Sequence, residues 1–493
     1  MELGKLVEEI AYKKRLYFNE KVEITGLCID SRVCQKGDLF ICLHGENVNS
    51  HNFVVQAVQK GAVAVIAMEE LPVKVPQIIV NDSRETMSLL ASAYFGKPSK
   101  RLKIIAITGT NGKTTTAYMI KSILEKAGKS VGIIGTLGVF YGTKKIAPTL
   151  TTPDPVFLQS VLADMLECGV EYVVMEMSAH ALYYKKDSGL YFSVCIFTNF
   201  TQDHLDFFKT MPTYKNAKAQ LFLPEKCPIA VLNGDDVVGR EFAVCREKTD
   251  EKGETKTVFY GMETPTDAFA IITDENIYGI QFIVNISDKL SRISLSLTGK
   301  HNVYNSLAAA VCATELGISL SDISSGLQRL KGVDGRLDYV KTYCGADIFV
   351  DFAHTPDGLE KSLQCLKSHT KGRLICVFGC GGNRDKSKRA PMGETVAKLA
   401  DFSVLTSDNP RYEDPLDIIS DIERGYRKFS KNYVVVPDRK KGIEYALDLA
   451  NKGDILLVAG KGGEEYQEIM GIKYAFKDKD VIEMIIEQKN CVC

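Results

Sequence analysis

The sequence predicts an α/β protein of three domains, built mainly on parallel sheets. Three observations carry that expectation. Short, near-continuous apolar runs recur along the chain, such as KIIAIT (103–108), VEYVVMEM (170–177) and RLICVFG (373–379). Strands of parallel sheets are buried on both faces and read this way. Segments with helical spacing alternate with these runs, as in TTTAYMIKSILEKAG (114–128), and βα alternation marks a parallel sheet. The chain is also 493 residues long, more than one core serves.

Residues 1–98 carry short β-like runs at Asp38–Leu43, Val63–Ala67 and Gln77–Val80 and one helical stretch, Phe53–Lys60. This predicts a small mixed α/β domain. FGKPSKRL (95–102) reads as a linker. Residues 99–331 form the central α/β segment, with further buried strands at SVGII (130–134) and SVCIFTNF (193–200). Residues 250–298 are polar and β-rich (TKTVFYG, IQFIVNIS, SRISLSLTG), which predicts an antiparallel edge or insertion before the helix NVYNSLAAAVCATELG (302–317). From 332 to 493 the strands ADIFVDFA, RLICVFG, DFSVLTS, YVVVP and DILLVAG alternate with helices in Rossmann-like spacing.

Composition excludes several classes. A net charge of −1 gives no general surface for nucleic acid. The first residues, MELGKLVEEIAYKKRL, lack a signal-peptide core, and no run of about 20 apolar residues predicts a membrane span. The fourteen cysteines fall mostly in apolar runs, as small core residues of a reducing cytoplasm do. Cys491 and Cys493 could chelate a metal, but two thiols at a chain end make a weak site.

GTNGKTTT (109–116) lies between a buried strand and an amphipathic helix, the context of a phosphate loop. Glycines let backbone N–H groups turn inward on phosphate oxygens, and the helix N-terminus adds partial positive charge. Lys113 can reach the terminal phosphates, and the Thr114 hydroxyl can ligate Mg²⁺. The loop is shorter than the common G-x-x-x-x-G-K-[ST]. It implies ATP or a similar nucleotide without saying what the phosphate is used for.

G-T-N-G-K-T-T resembles the loop of the Mur ligases and folylpolyglutamate synthases, ATP-dependent enzymes that form amide bonds. Other blocks resemble the Mur ligases in the same order: MEMSAHAL (175–182), TNFTQDHLDFF (198–208), YKNAKAQLF (214–222), GKHNVYNSLAA (299–309), GRLDYV (335–340) and DFAHTPDGLE (351–360). IDSRVCQKGDLFICLHGE (29–46) is similar to the UDP-sugar module of the tripeptide-forming members. The resemblance spans the chain. It implies UDP-binding, ATPase and amino-acid-binding domains in a monomer. It also implies that UDP-N-acetylmuramoyl-L-alanyl-D-glutamate is joined to a diamino acid at the cost of ATP, in cytoplasmic peptidoglycan synthesis.

Carried over residue by residue, the resemblance places Gly109, Thr110, Asn111, Gly112, Lys113, Thr114, Thr115, His301, Asn302, Asn305 and Arg336 at the nucleotide. Thr114, Glu176, His204 and a carbamylated Lys218 would hold Mg²⁺. Without the resemblance, Lys218 reads as a solvated helix lysine. Asp351 and His354 would face the same crevice. Ser31, Thr151, Thr152, Ser178 and Lys186 would hold the UDP substrate. Lys186 stands where the family commonly has Arg, and Ala179 replaces a Ser; a point charge there replaces a fork.

Three charged loops follow strands of the last segment: GCGGNRDKSKRAP (379–391), SDNPRYEDP (407–415) and GKGGEEYQ (460–467). Ligands bind at such strand ends. Arg384, Asp408, Asn409, Pro410, Arg411, Gly460 and Glu464 would form the third-substrate pocket. Two arginines with two acids suit meso-diaminopimelate, whereas L-lysine lacks the distal carboxylate and would leave an Arg unpaired. In the family, D-N-P-R goes with diaminopimelate. Gly463 departs from the frequent G-K-G-H-E. The alternatives are the same reaction with L-lysine or another diamino acid, a folyl- or cyanophycin-type ligase, and an inactive UDP-sugar-binding paralogue.

Overall fold

Parallel pairing organises the N-terminal residues. In the computed structural model, which describes residues 1–45, 48–148 and 150–490, strands Gly26–Cys28, Asp38–Ile41, Ala64–Ala67 and Gln77–Ile79 pair in parallel, and Lys14–Leu16 adds an antiparallel edge. Apolar clusters cover both faces, one around Leu6, Leu39, Ile66 and Leu90, the other around Phe40, Val54 and Val65. Cys491 and Cys493, weighed as a chelate, lie outside the described residues.

The chain divides into two compact units. The first comprises Met1–Ala106, Ser130–Cys195 and Ala217–Pro228, the second Ile107–Lys129, Ile196–Asn216 and Ile229–Cys493. These units interleave along the chain, whereas the segments read from sequence are contiguous.

In the first unit the predicted helix is present as Val54–Gln59, and a longer one, Ser83–Tyr94, was missed. Asp82 caps the longer helix by accepting from Arg84 N and Glu85 N. Its inward residues include Ser88 and Ser92, whose hydroxyls donate to the carbonyls of Lys185 and Gly189, so the apolar stripe that reveals a helix is diluted. The expected linker is instead packed: Pro98 and Ser99 are buried in a 3-10 turn, and Lys97 pairs with Glu9 at 2.6 Å. Strands Val131–Gly135 and Tyr172–Glu176 run parallel in this unit, and Gly138–Tyr141 and Lys144–Ile146 follow as antiparallel turns of chain.

In the second unit, Ile229–Asn233 and Lys256–Gly261 pair in parallel, and Ala268–Asn276, Gly279–Ile286 and Lys289–Leu295 form the expected antiparallel insertion. The C-terminal residues build a six-stranded sheet in the order Asp338–Tyr343, Ala346–Asp351, Ile455–Ala459, Leu374–Phe378, Phe402–Leu405, Tyr433–Val435. All neighbours are parallel except the first pair. Clusters around Phe349, Phe378 and Ile422 on one face and Ile375, Ile443 and Ile485 on the other bury it. The carboxyl ends of the parallel strands therefore open on one edge.

One buried ion pair ties that edge together. Arg439, fully buried, meets Asp478 through Nε and NH2 at 2.7 Å each, and also donates to the carbonyls of Ser407 and Ala459. Removing one partner of such a pair strands the other charge. Asp478→Ala is expected to cost about 3–5 kcal/mol, read by urea unfolding followed by far-UV circular dichroism, since the chain has no Trp. An Arg439→Met/Asp478→Leu double variant is expected to lose much less.

Candidate functional site

The phosphate loop is built by steric exclusion. Strand Lys103–Thr108 ends at Gly109 (φ 148°), and Gly112 (φ 85°) precedes helix Lys113–Lys126. A Cβ on Gly109 would lie 1.9 Å from Thr198 Oγ1, and one on Gly112 2.4 Å from Asn305 Oδ1. Both positions thus need glycine for space as well as for φ. Lys113 Nζ donates to the carbonyls of Gly109 and Thr110 at 2.9 Å each, which holds the ammonium over the loop. The TNFT segment pins the loop from beside it: Thr198 Oγ1 donates to Asn111 O, Asn199 Oδ1 accepts from Asn111 N, and Thr110 Oγ1 donates to Thr201 O. Thr115 is buried in the first helical turn.

The helix Lys300–Glu315 props this arrangement. Asn302 donates to Thr298 O, Asn305 donates to Asn302 Oδ1, and Asn305 Oδ1 accepts from Thr116 Oγ1. Asn302 and Asn305 are both buried, so in this state they hold the loop's shape. Burial pushes His301 down to about 4, with Lys361 adding to the effect, which leaves its imidazole neutral at pH 7.

The C-terminal residues reach the loop inside the same unit. Arg336 NH2 donates to Thr114 Oγ1 at 3.0 Å, and its guanidinium lies 4.1 Å over the Phe352 ring. Asp357 Oδ2 accepts from Asn111 Nδ2 at 2.7 Å. Gly335 fits against Gly463, where a Cβ on Gly335 would sit 1.9 Å from Gly463 N. Asp351, expected to face the crevice, accepts instead from Leu337 N, Ala353 N and Ser362 Oγ. A carboxylate with three inward donors is a brace for the strand end.

Asp203 is a charged centre the sequence reading passed over, although it precedes His204 in the same block. It is buried, with His204 Nε2 at 3.4 Å, Lys388 Nζ at 3.8 Å and His354 Nε2 at 3.9 Å. Burial opposes its charge, but His204, Lys388 and His354 together hold it well below the usual carboxylate range. His204 itself stands at φ 56°, ahead of the short helix Leu205–Phe208.

In the first unit, Glu176 ends its strand buried. Its two carboxylate oxygens accept from Thr136 N and Thr136 Oγ1 at 3.0 Å each, and Gly135 leaves room, since a Cβ there would lie 2.2 Å from Oε1. Thr152 Oγ1 donates to the Glu176 carbonyl and accepts from Ser178 N, and Thr151 and Thr136 hydroxyls lie 3.3 Å apart. Lys186 is buried against Asp154 Oδ1 at 2.8 Å and Thr152 O at 3.3 Å. Thr151, Thr152, Glu176, Ser178 and Lys186 are thus neighbours. Asp154 was missed, though it stands two residues after Thr152 in TTPDP. Ser31 is buried on the other sheet of the unit, with Oγ donating to Gln56 Oε1 at 2.8 Å.

Lys218 departs from the ordinary reading of a helical lysine. It is 1% exposed, in helix Met211–Ala219. Tyr214, Ala217 and Leu221 are buried at i, i+3 and i+7, and Lys218 falls on that same stripe at i+4. The spacing was the available signal.

Among the strand-end loops, Gly382 N donates to Asn409 O, and Arg411 NH1 donates back to Gly382 O at 2.8 Å. Arg411 has φ 53°, a left-handed conformation that costs about 1–2 kcal/mol for a residue with a Cβ. Glu468 O and Met470 N hold its backbone there, and Glu468 Oε2 lies 3.2 Å from its Nε. Asn409 donates to Glu464 Oε2 and accepts from Lys461 Nζ. Lys461, fully buried, also pairs with Glu464 at 2.9 Å, and was missed within GKGG. Asp408 Oδ2 is buried with no hydrogen-bond partner, beside Gly460, where a Cβ would lie 2.5 Å from it. Arg384 is exposed, but it and Arg411 flank Gly381: a Cβ there would lie 3.1 Å from Arg411 NH1 and 3.8 Å from Arg384 Cγ. The loops therefore bring Arg411 and the stem of Arg384 to Gly381, near the Asn409–Lys461–Glu464 network, of which Asn409 and Lys461 are buried. Pro410 lies between Asn409 and Arg411 with its carbonyl packed against Gly382.

Three segments match Mur ligase family profiles: residues 23–95 the Mur ligase family catalytic domain, 107–313 the Mur ligase middle domain, and 335–462 the Mur ligase glutamate ligase domain. A protein of Clostridium perfringens named UDP-N-acetylmuramoyl-L-alanyl-D-glutamate–2,6-diaminopimelate ligase is 40% identical over 475 residues, 96% of each chain. One of the same name from Syntrophomonas wolfei is 42% identical over 480 residues, 95% of each chain. A solved structure bearing that name superposes with a TM-score of 0.71 at 30% identity, covering 99% of each chain.

Gly112→Ala is expected to abolish binding of a non-hydrolysable ATP analogue, measured by calorimetry. The added methyl must displace Asn305. The circular dichroism spectrum should stay that of the parent.

Proposed function

The chain belongs to the Mur ligase family, and on that premise we propose that it joins meso-diaminopimelate to the D-glutamate γ-carboxylate of UDP-N-acetylmuramoyl-L-alanyl-D-glutamate with consumption of ATP. The observation that carries the choice of amino acid is the pair Arg411 and Arg384 at Gly381. Two arginines rooted at one strand-end edge suit a substrate with a second carboxylate. The naming of the relatives supports the same choice. Residues 1–98 would bind the UDP-sugar, 99–331 ATP and 332–493 the amino acid.

The chemical problem is that a carboxylate cannot expel oxide when an amine attacks. Transfer of the γ-phosphoryl group gives an acyl phosphate, whose phosphate leaves readily. Both reactants of that first step are anions, so cations must neutralise their approach. Lys113, already over the loop, is placed to turn from the Gly109 and Thr110 carbonyls to the phosphates. Arg336 would move from the Thr114 hydroxyl to the nucleotide, freeing that hydroxyl. The buried Asn409 and Lys461, with the half-buried Glu464, would orient the ammonium end of the amino acid, with Arg411 at its distal carboxylate.

Mg²⁺ fits the side chains present. The Glu176 carboxylate is buried where Gly135 leaves room for it, and carboxylate, hydroxyl and carbamate oxygens are hard donors. The family resemblance names Thr114, Glu176, His204 and Lys218 as its ligands. When bound it would supply positive charge against the triphosphate. The carbamate on Lys218 is what the family resemblance implies, and its oxygens could ligate metal.

No helix among the described residues is long and apolar enough to cross a membrane, and we take the protein to act as a cytoplasmic monomer.

The assay is phosphate release from ATP with the UDP-muramyl-dipeptide, comparing meso-diaminopimelate and L-lysine. Turnover is expected with diaminopimelate; equal or faster turnover with lysine would overturn the assignment, and none with either would favour a non-catalytic UDP-sugar binder. Arg411→Ala is expected to raise the KM for diaminopimelate by roughly 10–100-fold, the loss of a charge-assisted bond of about 1.5–3 kcal/mol, with ATP binding nearly unchanged. For Lys218, a carbonyl carbamate resonance in protein equilibrated with ¹³C-bicarbonate is expected, absent in Lys218→Ala along with activity. A full-activity Lys218→Ala protein would remove the carbamate.

A further inference from the structure

We propose that Cys28, Cys34 and Asp38 form a binding site for a thiophilic divalent cation, Zn²⁺ in the first instance, on the N-terminal sheet. Their ligand atoms, two Sγ and a carboxylate oxygen, all lie within 4.8 Å of one another. Tetrahedral zinc with Zn–S of about 2.3 Å and Zn–O of about 2.0–2.2 Å holds its ligands roughly 3.5–3.8 Å apart, so the three groups need close by only about 1 Å.

Local structure assembles them. Strand Gly26–Cys28 runs parallel to Asp38–Ile41, with Gly26 opposite Asp38 and Cys28 opposite Phe40. Gly26 makes room for the carboxylate, since a Cβ there would fall 2.4 Å from Asp38 Oδ1. Asp38 Oδ2 accepts from Gln35 N at 2.8 Å, which folds the chain after Cys34 back toward the strand. Cys28 and Cys34 are each 6% exposed, so the sulfurs sit just under the surface. Cys28 Sγ bonds weakly to Asp30 O at 3.1 Å and Cys34 Sγ approaches Gln35 O at 4.0 Å, while Cys34 also hydrogen-bonds Cys28 and Asp38. The remaining coordination position would be water. Two thiolates and a carboxylate favour Zn²⁺ over the Mg²⁺ of ligase chemistry. Loading releases the two thiol protons, so that two S–H bonds are exchanged for two metal–sulfur bonds. The chelate would fix residues 29–33, the loop that carries Ser31.

The test uses the full chain, reduced and stripped of metal, titrated first with Co²⁺. About one equivalent is expected to give sulfur-to-cobalt charge-transfer absorption and the intense visible bands of four-coordinate cobalt, both bleached by Zn²⁺. Cys28→Ser and Cys34→Ser should each abolish the charge-transfer band, and Asp38→Asn should weaken binding by 10-fold or more. A second measurement needs no variant: Zn²⁺ should shield Cys28 and Cys34 from alkylation, mapped by mass spectrometry, while the exposed Cys168, Cys245 and Cys344 label as before. Absence of the band, its survival in the Cys28→Ser/Cys34→Ser protein, or equal labelling of Cys28 and Cys34 with and without Zn²⁺ would each overturn the site.

Discussion

Arg439 and Asp478 hold the edge on which the C-terminal loops depend. Each is fully buried, and neither could be there alone, because an unpaired charge in a protein interior costs several kcal/mol. The guanidinium has more donors than one carboxylate can take, and the surplus goes to Ser407 O and Ala459 O. Those carbonyls stand just beyond strand Phe402–Leu405 and at the end of strand Ile455–Ala459. One residue therefore fixes the roots of both the DNPR loop and the GKGG loop. Lys461, Asn409 and Glu464 then pair across the space between these roots. Arg411 can be kept in a left-handed conformation because hairpin Tyr466–Ile469/Ile472–Ala475 is docked on it.

The phosphate loop shows the same economy with neutral groups. Its two glycines clear space for Thr198 and Asn305, and those side chains then hold the loop's backbone and the following helix. Arg336 sits at the meeting point, stacked on Phe352 and hydrogen-bonded to Thr114. Because Gly335 beside it packs on Gly463, the last strand-end loop sets where this guanidinium stands. It is position 335 that must be glycine, because a Cβ there would run into the backbone of Gly462 and Gly463.

Much of this was legible in the sequence, for reasons that differ by element. The parallel strands could be read because burial on both faces leaves continuous apolar runs, as in Leu374–Phe378 and Ile455–Ala459. The phosphate loop could be read because backbone conformation and anion binding both demand glycine at set positions. Helix Ser83–Tyr94 could not, because serines with internal partners occupy its buried face. Partnerships across long separations were also hidden. Nothing local in QDHLD says that Lys388 will approach Asp203 from 185 residues away (388 less 203). Lys218 is the intermediate case: its place on the stripe of Tyr214, Ala217 and Leu221 was visible, but its residue type argued for solvent.

Lys186 illustrates how a substitution can keep a charge while changing its duty. An arginine there could hold a neighbour and still present donors to an anionic substrate, since its fork has five N–H groups. The lysine ammonium has three, and Asp154 and the Thr152 carbonyl already take two of them. Its position beside Thr152 and Ser178 means that whatever it holds also sets the backbone on which Glu176 ends, because the Thr152 hydroxyl donates to the Glu176 carbonyl. In this chain the cation at 186 therefore acts first as a clamp on the Thr152–Asp154 turn. Under the proposed function, the contact left to a substrate anion would be a single point charge, and the hydroxyls of Thr151, Thr152 and Ser178 around it would have to supply the geometry.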